Sequence, residues 1–247
     1  MFIKHCNKQR VCYCLVCICV LLTTGCASRK TWVYRSEPES ISPAVIDKSV
    51  AVPPFSDQRL NENSNMAAMY LIPLMPFGWQ TYNTPEGGQI HMNSGIWFWK
   101  PNEDIAKAAA EELNASHIFK EAFFTFRESD APLILKGTIK STKYNGKVLT
   151  YGLSVYGPCL WFIGLPGTVI NNELMLSFKL VDKTKNTVLW EKEYQEKTDH
   201  WSWIYYMQSD FEYPALLKKI MTNVINDIRS NSNSIKTAIK LSDTNDK

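Results

Sequence analysis

The chain has 247 residues, 45% of them hydrophobic, which is ample for one domain with its own core and small for more than two. Lys plus Arg number 27 against 24 Asp plus Glu, and Lys4, Lys8 and Arg10 supply the whole excess, since 27 − 3 = 24. The chain beyond them is neutral, which leaves no electrostatic case for nucleic acid, whose binding needs a clustered basic surface.

The first element in chain order is a signal. A basic head over residues 1–10 precedes an uncharged apolar run over 11–22 and then Thr23-Thr24-Gly25-Cys26. Such a run fits the roughly 7–15 residues of a secretory signal and falls short of the about 20 needed to span a bilayer. Small residues ahead of Cys26 resemble the lipobox of bacterial lipoproteins, although Thr23 stands where an aliphatic residue is usual and Leu22 lies one place further back. The resemblance implies cleavage before Cys26 and lipidation of its thiol. Because Ala27 rather than Asp follows, it also implies sorting to the outer membrane, facing the periplasm. An ordinary signal cut nearby is the alternative. Cys6, Cys12, Cys14, Cys17 and Cys19 fall within residues 1–25 as small hydrophobes. With Cys26 lipidated, Cys159 has no disulfide partner, and the fold must rest on its core.

Residues 26–44 combine Arg, Lys, Glu, Ser and two prolines with little apolar periodicity and read as a lipid-anchored tether. Residues 45–52 (VIDKSVAV), closed by Pro53-Pro54, read as a buried strand. Asn102 is placed to cap a helix with Glu103 and Asp104 in its first turn and Ile105, Ala109 and Leu113 on one stripe. Residues 117–126 read as a turn plus a strand. Leu133, Leu135, Gly137 and Ile139 alternate with polar residues, as do Leu174, Leu176, Phe178 and Leu180. A turn over 182–186 and a return strand over 187–194 complete a hairpin. Tyr213, Leu216, Leu217, Ile220, Val224 and Ile228 recur at helical spacing. The tail, 230–247, opens on alternating Ser and Asn and is expected to be poorly ordered. The order β-α-β-β-β-β-α predicts a single α+β domain over 45–229, with a mainly antiparallel sheet and two packed helices.

VAVPPFSDQR (50–59), EDIAKAAAEELNASHIFKEAFF (103–124) and APLILKGTIKSTKY (131–144) follow a pattern of a strand ending in PF-x-D, a helix, and a strand reading L-x-G-x-I. This resembles a group of envelope lipoproteins. It includes the curli-secretion lipoprotein, penicillin-binding-protein activators and the N-terminal domain of the Tol-system translocation protein. The resemblance covers about residues 45–195, departs over 60–100 and 148–170, and implies a fold but no specific activity.

No catalytic constellation stands out. His91, His117 and His200 lack the spacing of a zinc site, and no paired cysteines exist to hold one. Ser154 lacks the second glycine of a nucleophile elbow, and Gly87-Gly88 lacks the context of a phosphate loop. Asp199-His200 could imitate part of a triad, so a hydrolase using Ser154 or His200 is the least favoured reading. No metal or cofactor is implied. Asp57, just after the first strand, could form a pocket with Arg59; the favoured alternative is a turn held by Asp57 with Arg59 solvated.

Three apolar-aromatic segments fit no regular element: YLIPLMPFGW (70–79), VLTYGLSVYGPCLWFIGLPGTVI (148–170) and WSWIYY (201–206). Their prolines and glycines disfavour central strands and lipid-exposed helices. They either complete the core or remain exposed as a patch, with Trp161, Phe162, Trp201 and Trp203 as contact candidates. Together these features point to a non-enzymatic, lipid-anchored envelope protein that works through contacts with a protein partner or the membrane. An oligomeric outer-membrane secretion or pore subunit is the alternative.

Overall fold

A computed structural model describes residues 29–36, 43–88 and 90–244. The expected signal, Cys26 and part of the expected tether lie outside the described residues. The fold centres on one long hairpin, β10 (Thr168–Asp182) and β11 (Thr187–Ser202), paired from Thr168↔Ser202 to Asp182↔Thr187. Leu174, Leu176, Phe178 and Leu180 on β10 are fully buried, as their alternation predicts.

The other edge of β10 is shared between two strands. Its first residues pair antiparallel with β9 (Tyr144–Leu149) and its later ones with β8 (Leu133–Ser141). Only Thr142 and Lys143 separate these, so they act as one bent strand that divides the sheet. Beyond β8 lie β2 (Ile46–Val52), β3 (Ser56–Asp57) and β7 (Phe119–Phe124), all paired in parallel. Beyond β9 lie β5 (Phe77–Tyr82) and β4 (Asn63–Met66), both antiparallel. Most pairings are antiparallel, and the architecture is a single α+β domain. The parallel pairing of β2 with β7 follows from the crossover through helix α1 (Pro101–Ala115), which returns the chain to the same end of the sheet.

Helices α1 and α3 (Tyr213–Ser230) pack on each other and on the sheet. Ile105, Ala109 and Leu113 meet Leu216, Ile220 and Val224 in one buried cluster. Phe55 and Gly137 explain two of the short motifs. A Cβ on Gly137 would stand 2.4 Å from the Phe55 ring, so the glycine of LKGTI makes the space that the phenylalanine of VPPF fills. Phe55 then meets Phe178 edge-on with centroids 5.6 Å apart.

Three expectations are corrected. Helix α1 begins at Pro101, and Asn102 lies inside it; its carbonyl accepts a bond from the Phe55 amide at 2.9 Å. Proline fits the first helical position because no amide is needed there, while Asp104 reaches back to the Lys100 N–H at 2.8 Å. The tether reading fails over 29–36, which docks on the domain. Strand β1 (Arg29–Thr31) pairs in parallel with β6 (Ile96–Phe98), and Trp32 stacks on Trp99 with centroids 5.7 Å apart. The tail forms a further helix, α4 (Ser232–Thr244), because Ile235 and Ile239 fall one turn apart and bury together.

Candidate functional site: an uncharged cap

The three irregular segments meet at one end of the sheet, where β9 and β11 finish and β10 begins. The amides of Thr150 and Tyr151 both donate to the Pro76 carbonyl at 2.9 Å, and that of Leu74 donates to Gly152 at 3.0 Å. Gly167 N–H donates to Ser202 O at 2.9 Å, and the Tyr205 hydroxyl donates to Phe162 O at 3.1 Å. Residues 63–85, 148–172 and 201–209 contain no Asp, Glu, Lys or Arg. The result is a cap without a formal charge.

Much of this cap faces water. Leu74 is 89% exposed, Ile163 76%, Tyr205 74% and Phe162 61%, and Trp201, Trp203, Val155 and Tyr156 are exposed beside them. Exposed apolar patches on soluble domains mark contact surfaces. Of the sequence candidates, Phe162, Trp201 and Trp203 lie on this surface. Trp161 is corrected: it is half-buried beneath the cap, its indole N–H donates to Leu149 O at 2.8 Å, and Gly167 packs against its ring. Between β9 and β10 the chain folds as turns and helix α2 (Pro158–Phe162), which has only 5 residues. No helix among the described residues is long and apolar enough to cross a membrane.

The cap is built on strained backbone. Leu74, Tyr151 and Ser154 have φ of 70°, 57° and 52°. In residues 72–75, Pro73 and a positive φ at Leu74, with the Met75 amide bonded to the Ile72 carbonyl at 3.2 Å, give a type II turn pattern in which glycine is usual third. Leucine stands there instead, pointing into solvent. Sequence reasoning found the segments but not Leu74, because nothing in the run IPLMP reveals a positive φ.

Asp57 and Arg59 do come together, but in a closed arrangement. Asp57 Oδ1 accepts the Arg59 amide at 3.0 Å, as the turn reading expects. Arg59 is not solvated: its side chain is 2% exposed and clamped by Asp57 at 2.7 Å, Glu86 at 2.5 Å and the Thr142 hydroxyl. Burial opposes its charge, and the bonds to Asp57 and Glu86 more than offset it, holding its pKa above the ordinary value. Those bonds depress the Asp57 pKa. With all its partners internal, the guanidinium holds the 85–87 turn onto β3 and presents nothing to a ligand.

The structure also assembles a buried polar cluster that sequence spacing could not reveal. His91 stacks on Trp97 with centroids 3.4 Å apart, and its Nε2 lies 2.9 Å from the Pro85 carbonyl. Fully buried Asp210 accepts from the Tyr144 hydroxyl and the Asn93 amide, each at 3.0 Å. Burial holds the His91 pKa down, to about 4. The cluster pins the 91–95 turn and the 208–211 loop to the sheet, and with His91 at 1% exposure no substrate reaches it. The Ser154 hydroxyl donates to Leu71 O, and Asp199 accepts from Asn171. Among the described residues, no group of three or more His, Cys, Asp or Glu is placed to hold a metal.

No family model matches the chain, and no curated protein matches it. Among solved structures it is similar to protein XCC0632 from Xanthomonas campestris, of family-model DUF330. That match has 12% identity and a TM-score of 0.45, over 88% of this chain and 99% of that one. It is also similar to a PelC dodecamer from Paraburkholderia phytofirmans in two crystal forms. One matches at 14% identity and a TM-score of 0.33 over 76% of this chain and 90% of that one. The other matches at 15% and 0.34 over 74% and 92%.

Proposed function

We propose that the chain is a non-enzymatic cell-envelope lipoprotein, anchored through Cys26 at the outer membrane and facing the periplasm, that acts through contacts made by its uncharged cap. The observation that carries this reading is the cap itself. Large apolar side chains stand in solvent on a framework of internally bonded loops, which is the anatomy of a contact surface. The basic head, the apolar run and the small residues before Cys26 support the anchor, and the neutral remainder fits a protein with no polyanionic partner.

Envelope fractionation with crosslinking in intact cells tests the reading. The unchanged chain is expected in the membrane fraction, and Cys26→Ser is expected to lose outer-membrane attachment. Phe162→Asp with Tyr206→Asp should leave the domain folded and remove its crosslinked adducts. A soluble unchanged chain, or adducts indifferent to the cap substitutions, contradicts the proposal.

A further inference from the structure

Strand β1 runs parallel to β6, with Arg29 opposite Ile96 and Thr31 opposite Phe98. Strand β6 leads away from the 91–95 turn. In that turn Asn93 Nδ2 donates to the Ser202 hydroxyl at 2.9 Å, and the Thr168 hydroxyl donates to Asn93 Oδ1 at 3.1 Å. Ser202 ends β11 and Thr168 begins β10, at the end of the sheet that bears the cap. The N-terminal end of β1 is therefore directed toward the cap. Cys26 precedes Arg29 by 29 − 26 = 3 residues, a reach of at most about 10 Å. An acyl chain on Cys26 would hold this end of the molecule near the bilayer.

We infer that the cap rests on the bilayer surface, its exposed Leu74, Phe162, Ile163, Trp201 and Trp203 entering the headgroup layer beside the lipid anchor. This deepens the anchored reading and rests on it. The chemistry of the cap fits that occupant. Tryptophan and tyrosine favour the interfacial layer, and the cap brings no charge into it. Backbone polar groups near lipid need internal partners, and the cap pairs its loops with one another, from Thr150 with Pro76 to Gly167 with Ser202. Arg29 and Lys30, next to the anchor, and Lys147, whose ammonium lies 4.9 Å from the Phe77 ring, place cations where lipid phosphates stand. The side chain of Leu74, carried on a strained backbone, is 89% exposed among the described residues, and a membrane supplies a surface for it.

The test uses the full chain, purified with its lipid and reconstituted into phosphatidylethanolamine–phosphatidylglycerol vesicles, part of whose acyl chains are brominated. Bromine quenches tryptophan emission only within the bilayer. Quenching is expected in the unchanged chain, and Trp201→Phe with Trp203→Phe should remove most of it. Phe162→Asp with Ile163→Asp, which keeps all eight tryptophans and replaces only exposed side chains, should remove it as well. A chain that floats with the vesicles but is not quenched overturns this inference and leaves the anchor standing. A chain that does not float overturns both. Crosslinks joining the caps of two copies, without quenching, give the surface to a second copy and also overturn it.

Discussion

Leu74 holds a left-handed backbone that costs a leucine about 1–2 kcal/mol, and its side chain recovers none of that by packing because it stands in water. Glycine would remove the strain while adding about 0.5–1 kcal/mol of chain freedom to the unfolded state. Leu74→Gly should therefore stabilise the domain by up to about 1 kcal/mol, read from the urea midpoint, while weakening the contact made by the cap. His91 gives the opposite kind of signature. Its pKa is lowered by burial from 6.5 to about 4, against a smaller opposing pull from Asp210. Between those values the unfolded chain binds a proton that the folded chain refuses, so stability falls as pH drops below 6.5 and the loss levels off below about 4. The full loss is of order 3 kcal/mol, and His91→Phe should flatten that part of the urea midpoint against pH. Neither residue was legible in the sequence. A positive φ leaves no mark on composition, and His91 meets Asp210 only because two distant loops cross the same strand.

At the scale of elements, legibility followed periodicity. Leu133 to Ile139 and Leu174 to Leu180 alternate because one face is buried, and both strands lie where that alternation put them. Strand β1 and helix α4 were missed because each is fixed by few apolar residues: Trp32 and Tyr34 beside β1, Ile235 and Ile239 in α4. Such short signals are lost among Ser, Asn, Lys and Glu. The pairing of β2, β3 and β7 in parallel was also beyond the sequence, since it depends on where α1 crosses. Motif spacing has its own physical cause in the Phe55–Gly137 contact. Gly137→Ala should cost about 1–3 kcal/mol through overpacking. Adding Phe55→Leu should return part of that loss. Denaturation of the two single variants and the double variant measures the coupling, and strict additivity would show that the two side chains do not share one space.

The whole molecule has one end unlike the rest. Ion pairs such as Lys136–Glu128, Lys179–Glu191 and Lys192–Asp227 decorate the body of the domain, whereas the cap carries none. Strand β1 aims the chain's N-terminal side at that same end, so anchor and apolar surface would act together, and two membrane signals hold a protein far better than one. The sequence revealed the three uncharged segments, but not that they share an end with the start of β1, because that meeting depends on the bent β8–β9 strand and on β1 docking beside β6. The proposed anchor is tested most directly by the mass of the mature N-terminal peptide, taken from protein isolated from membranes. An anchored protein yields a peptide beginning at Cys26 with its thiol and amino group acylated. A peptide beginning elsewhere, or one bearing an unmodified Cys26, would contradict it.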